Sequence, residues 1–163
     1  MRIMNCACGA LIQISGFNIM LSIDIICAGA GKVKEEYLRA AVAEYGKRIS
    51  PYAKVRFVEV GESDAEIIAA LPPRAYIFAL CIGGKQLSSE EFADKFDKIA
   101  SGGYSKIAFV IGGSDGFGKA VEDKADFRLS FSKMTFPHRL MRVILLEQVY
   151  RAFSINHGSK YHK

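Results

Sequence analysis

Pro137, His138 and Arg142 close a run, Leu129 to Arg142, in which an apolar strand, a hydroxyl-rich turn and a helix start follow one another. Ser130, Ser132 and Thr135 supply hydroxyls and Lys133 a cation. His138 and Arg142 stand one helical turn apart, so both are expected to project from one face. Proline suits the first helical position, because its angle is preset and it has no amide proton to leave orphaned. A strand end meeting a helix N-terminus gathers backbone amides, hydroxyls and cations, which suits a small polar cofactor and an anionic partner. The same hydroxyls also read as turn residues that satisfy local backbone groups. His138 alone reads as a helix-start residue, and Lys133 as a solvated one.

The elements that must position this junction follow from apolar periodicity. Leu21–Cys27, Val55–Val60, Ala75–Ile82, Lys106–Ile111 and a stretch near Phe127–Ser130 read as strands, most of them apolar on both faces. Helical spacing over Glu35–Ile49 ends at Ser50-Pro51, and Ser63 or Asp64 caps a short helix that Pro72-Pro73 stops. Gly83-Gly84 is expected to turn the chain. Ser88 with Glu91 then forms a capping box for a helix ending before Gly102. A final helix runs from Pro137 to about Phe153, followed by a polar tail. Alternation of this kind implies an α/β fold: a mainly parallel sheet with helices on both faces. In such sheets ligands bind outside the carboxyl ends of the strands, where the loops after Ile82, Ile111 and Ser130 converge.

Composition bounds the function without naming it. The 163 residues suit one domain with a real core, and a net charge of +5 mildly favours an anionic partner. No apolar run approaches the roughly 20 residues that span a bilayer. Cys6 and Cys8 are too close together for an ordinary metal half-site, and no Cys-x-x-Cys occurs, so no metal is expected. Cys27 and Cys81 fall in apolar strands and read as small buried hydrophobes, reduced in a cytoplasmic protein. Residues 1–19 make a poor secretory signal and are treated as an N-terminal extension or an early start, with one domain over 20–163.

Three further features admit two readings each. Gly112–Gly118 lacks both the Gly-x-Gly-x-x-Gly spacing and a Gly-Lys-Ser/Thr ending. It reads either as a tight strand-to-helix turn or as backbone brought close to a ligand. The last helix is apolar around much of its girth, from Leu140 to Phe153, so a homodimer through its uncovered side is expected. The tail interleaves Tyr161 and His162 with Lys160 and Lys163: a frayed terminus, or rings suited to an unpaired base. Arg151 is assigned to Glu147, four residues earlier.

In this order the segments resemble the bacterial ribosomal RNA large subunit methyltransferase H family, of the SPOUT class. The likeness rests on Glu-Tyr at 44–45, Lys-Arg at 47–48, Ser-Pro-Tyr at 50–52 and Leu-Ser-Ser-Glu-Glu-Phe at 87–92. Phe-Val-Ile-Gly-Gly at 109–113, the Leu129–Arg142 run, Glu-Gln-Val-Tyr-Arg-Ala-Phe at 147–153 and the terminal Tyr-His-Lys extend it. The resemblance implies a C-terminal trefoil knot, a homodimer, and S-adenosyl-L-methionine as methyl donor. The implied substrate is a pseudouridine of large-subunit RNA, methylated at N3 on the assembled ribosome. It assigns the donor to Leu80, Gly112, Phe131, Ser132, Lys133, Met134, Thr135 and Phe136, and the substrate side to His138, Arg142, Tyr161 and His162. Arg142 would stabilise a developing imidate oxygen, and the proton acceptor stays open, with His138 a candidate. Two departures stand out: a short segment between Val60 and Ala75, and Cys81 where an acidic residue is expected. The rival readings are a ribosome-binding factor without catalysis and a flavodoxin-like electron carrier.

Overall fold

The computed structural model describes residues 12–14, 17–29, 31 and 33–158, with side chains described from residue 20 onward. Ile12–Ile14 (β1) and Phe17–Ile19 (β2) pair antiparallel as a sheet of their own. The main sheet contains Leu21–Ala28 (β3), Ala53–Val60 (β4), Tyr76–Gln86 (β5), Lys106–Ile111 (β6) and Phe127–Ser130 (β7). Its order is β4-β3-β6-β5-β7 and every pairing is parallel. Parallel strands are covered on both faces, which is why β6 from Ile107 onward reads as an unbroken apolar run and β3 as a mostly apolar one.

Glu36–Ile49 (α1), Ser89–Ser101 (α3) and His138–Asn156 (α5) cover one face, with Ile49, Phe92, Phe96 and Leu145 in the core they share with the strands. Phe78 lies at its centre, stacked on Phe109 at 4.8 Å and edged by Phe92 and Phe127. Asp64–Ala70 (α2) and Lys119–Glu122 (α4) cover the other face, where Ile67 and Val121 pack on Ile26 and Val110. The α/β architecture expected from the sequence is therefore present.

Side-chain caps account for two of the five described helix starts. The Ser63 hydroxyl accepts from the Glu66 amide, and Ser88 with Glu91 forms the complete capping box. Pro137 stands just outside α5 as its N-cap, with ψ 131°, rather than as the first helical residue. The apolar girth of α5 is largely covered within the chain, because the helix packs against both α1 and α3. Leu145, Leu146, Val149, Ala152 and Phe153 are buried, and Leu140 is exposed. The face left for a second subunit is thus smaller than the helix sequence suggests.

Gly83-Gly84 does not end β5, contrary to expectation. The strand runs on to Gln86, and Leu80 and Lys85 both lie opposite Leu129 of β7, so the residues between them bulge out of the pairing. Gly84 permits this: a Cβ there would lie 2.7 Å from the Leu129 carbonyl carbon. Cys27 is fully buried, and burial pushes its thiol up to about 12. The Gly84 contact sets a test. Gly84→Val should cost about 2–3 kcal/mol in urea unfolding by forcing β5 and β7 apart, and an unchanged midpoint would refute the contact.

Candidate functional site

The carboxyl ends of parallel strands lie along one sheet edge, and β5, β6 and β7 each send a loop from it. Residues 80–83, 111–117, 129–132 and 134–138, with Glu122 and Met141, line a cleft of about 860 Å³. Leu80, Ile111, Leu129 and Met141 line it with aliphatic surface, and Phe117, Phe131 and Phe136 add rings. Asp115, Glu122 and His138 supply ionisable groups. Of the residues assigned to a cofactor, Leu80, Gly112, Phe131, Ser132, Met134, Thr135 and Phe136 line the cleft, whereas Lys133 is exposed and does not.

Each wall has a local cause. In the glycine loop, a Cβ at Gly112 would lie 2.7 Å from the Gly116 backbone, and Gly116 takes φ +79°. Gly116 N–H donates to the Gly113 carbonyl at 3.2 Å, folding the loop flat against the cleft. The tight-turn reading and the close-backbone reading thus describe one object. In the next wall the Ser130 hydroxyl donates to the Ser132 carbonyl at 3.0 Å, and the Met134 amide donates to the Ser132 hydroxyl at 2.9 Å. Those two hydroxyls shape the turn. Met134, 72% exposed, stands at the mouth.

The start of α5 forms the third wall, with Pro137 and His138 on the cleft. It has no side-chain cap and no acidic residue in its first turn. The helix itself thus brings no side-chain acceptor or acidic group to the positive end of its dipole, which lies beside the cleft.

Arg142 departs from the expected pairing with His138. It is 3% exposed and lines a separate hollow of about 640 Å³ with Val33, Lys34, Arg39, Val42, Phe57 and Glu59. Its guanidinium donates to both Glu59 carboxylate oxygens, at 2.6 and 2.9 Å, and to the Gly31 carbonyl at 3.0 Å. Within one chain its charge is matched by Glu59, so it anchors α5 to β4 instead of facing the cleft. Arg139 makes a similar tie to Glu35 at 2.7 Å. Arg151 pairs with Glu147 as expected. Tyr161 and His162 lie outside the described residues.

Sequence reasoning placed the loop after Ile82 at the cleft but missed the β5 bulge that puts Cys81, Ile82 and Gly83 there, and it missed Glu122. Cys81 is half-buried, and burial, then the Glu122 carboxylate, raises its thiol pKa. Glu122 is itself ion-paired with Arg128 at 3.0 Å. A carboxylate one helical turn beyond a glycine loop was the available signal. Among the described residues no group of three His, Cys, Asp or Glu could hold a metal ion. None of their helices is long and apolar enough to cross a membrane.

A family model described as a predicted SPOUT methyltransferase matches residues 21–162. The chain belongs to this family. Within the SPOUT methyltransferases it is 47% identical over 161 residues to a ribosomal RNA large subunit methyltransferase H of Exiguobacterium, covering 88% of this chain and 100% of that protein. The protein of the same name from Listeria monocytogenes is 50% identical over 151 residues, covering 82% of this chain and 95% of that one. These relatives place the chain in the methyltransferase H group. A putative methyltransferase of Legionella pneumophila, solved with bound SAM, aligns with TM-score 0.48 at 12% identity, over 82% of this chain and 67% of that one.

The Arg142 anchor gives a stability prediction. Arg142→Ala leaves Glu59 unmatched and should lower unfolding free energy by about 2–4 kcal/mol in chemical denaturation. Replacing both residues by apolar ones of similar volume should recover much of that loss. Equal loss in the single and double variants would remove the pair from this role.

Proposed function

We propose that the chain transfers a methyl group from S-adenosyl-L-methionine to N3 of a pseudouridine in large-subunit ribosomal RNA. The observation that carries this reading is the cleft beside the uncapped start of α5, together with membership of the methyltransferase H group. The residues fit the donor. The cleft can hold a nucleoside, its aliphatic and phenylalanine surface suits adenine, and the positive helix end suits the donor's carboxylate. Asp115, on the glycine loop, is a carboxylate on the cleft that suits the donor's positive charges.

When bound, the donor supplies an activated methyl group for in-line displacement. The chain's part is mainly placement: the self-bridged glycine loop and the 130–136 turn fix the donor side. N3 of the base loses its proton and bonds the methyl carbon as the carbon–sulfur bond breaks, its electron pair leaving with the sulfur as a neutral thioether. His138, which lines the cleft, is our candidate to accept that proton or to orient the base, and the identity of the acceptor is left open. Arg142 acts at one remove, by holding the α5 start.

The same reading includes a trefoil knot in the C-terminal part and a single catalytic domain over 20–163 preceded by an extension. It also includes a homodimer acting on assembled ribosomes in the cytoplasm. The dimer is supported by the exposed Leu140 at the start of α5 and by the need for a second surface to present the base. Tyr161 and His162 of the tail belong to the substrate side in this reading.

Two measurements test it. Calorimetric titration should show S-adenosylmethionine binding, and mass spectrometry of ribosomal RNA should show one methyl group lost when the gene is deleted. Binding to ribosomes without donor binding or a lost methyl group would instead identify a non-catalytic ribosome-binding factor. His138→Ala should reduce turnover on ribosomes by on the order of 100-fold while donor binding persists, and undiminished turnover would remove His138 from the reaction.

A further inference from the structure

The glycine loop has a back as well as a front. Its front lines the cleft; its back meets the short β4–α2 connection, Gly61-Glu62-Ser63, and Asp64, the first residue of α2. The Gly118 amide, at the loop's far end, donates to Asp64 Oδ1 at 2.8 Å across 54 residues of sequence. The other Asp64 oxygen fills the space a side chain at Gly118 would take. Glu62 lies likewise over Gly113, where a Cβ would meet its carboxylate oxygen at 2.7 Å, and it also fills the space above Gly29 at the end of β3. Asp64 is itself held, because Ser63 caps α2 and its hydroxyl bonds Glu66 at 2.6 Å.

We infer that Asp64, supported by Glu62, is a positioning residue for the methyl donor: it fixes the glycine loop from behind so that the loop's backbone meets the donor in one conformation. The inference rests on the donor-binding reading of the cleft. The loop bridges itself through Gly113 and Gly116, and flexible glycine backbone loses much entropy on ordering. A carboxylate bonded to the Gly118 amide restrains that backbone before the donor arrives, so donor affinity is what the tether should control. Neither carboxylate lines the cleft, so neither touches the donor.

The test compares Asp64→Ala with Asp64→Asn, whose amide oxygen still accepts from Gly118. We expect Asp64→Ala to raise the donor dissociation constant, by calorimetry, and the donor KM, each five- to tenfold. Its kcat at saturating donor should stay within twofold, and Asp64→Asn should bind the donor within twofold of the parent protein. Unchanged donor affinity in Asp64→Ala, or a loss in kcat alone, overturns the proposal. An equal loss in Asp64→Asn overturns it too. If the alanine variant does not fold, Asp64→Glu, which displaces the carboxylate by one methylene, should weaken donor binding, and unchanged binding overturns the proposal. A parent protein that binds no donor would fail the donor reading itself, which separates the two failures.

Discussion

The pairing of β5 with β7 around Leu129 is the contact on which the cleft depends. Because Leu80 and Lys85 both face Leu129, the backbone between them has no place in the ladder and is pushed out over the sheet edge. That excursion becomes one wall. The same pairing sets β7 at the end of the sheet, so the turn after Ser130 comes back over the ends of β5 and β6 and delivers the start of α5 beside the glycine loop. Backbone groups must find partners when buried. The shape of the cleft is therefore decided by hydrogen-bond register more than by any one side chain.

The helices are held to that edge by charges drawn from far along the chain. Arg142 reaches Glu59 across 83 residues, and Arg139 reaches Glu35 across 104. Both ties lie in the first turns of α5, and neither arginine lines the cleft. They fix the direction of the helix start, so Pro137 and His138 stand at the cleft while the cations remain paired. A carboxylate partner in the chain explains why cationic residues at this helix start do not all serve a ligand.

Much of this was legible in the sequence. The mostly apolar run at β3, the continuous one at β6, the Ser63 and Ser88 caps and the prolines after α2 are local signals, and their elements formed where those signals stood. The convergence of three strand-end loops followed from parallel topology alone. What was hidden depended on partners distant in sequence. Gly83-Gly84 has the composition of a turn, and only the nearness of Leu129 makes it strand. Arg142 lies one helical turn from His138, yet Glu59 decides where its charge is spent. The girth of α5 suggested a large exposed face because α1 and α3, which flank it on both sides, cannot be read from the helix itself.

The rings on the cleft are those of Phe117, Phe131 and Phe136, and the chain contains no tryptophan. Phenylalanine is nearly dark in the near ultraviolet, so the cavity is an optically quiet chamber. A fluorescent nucleoside placed in it would report its own surroundings with no indole emission from the protein, and stacking against those rings would register as a change in that probe's lifetime.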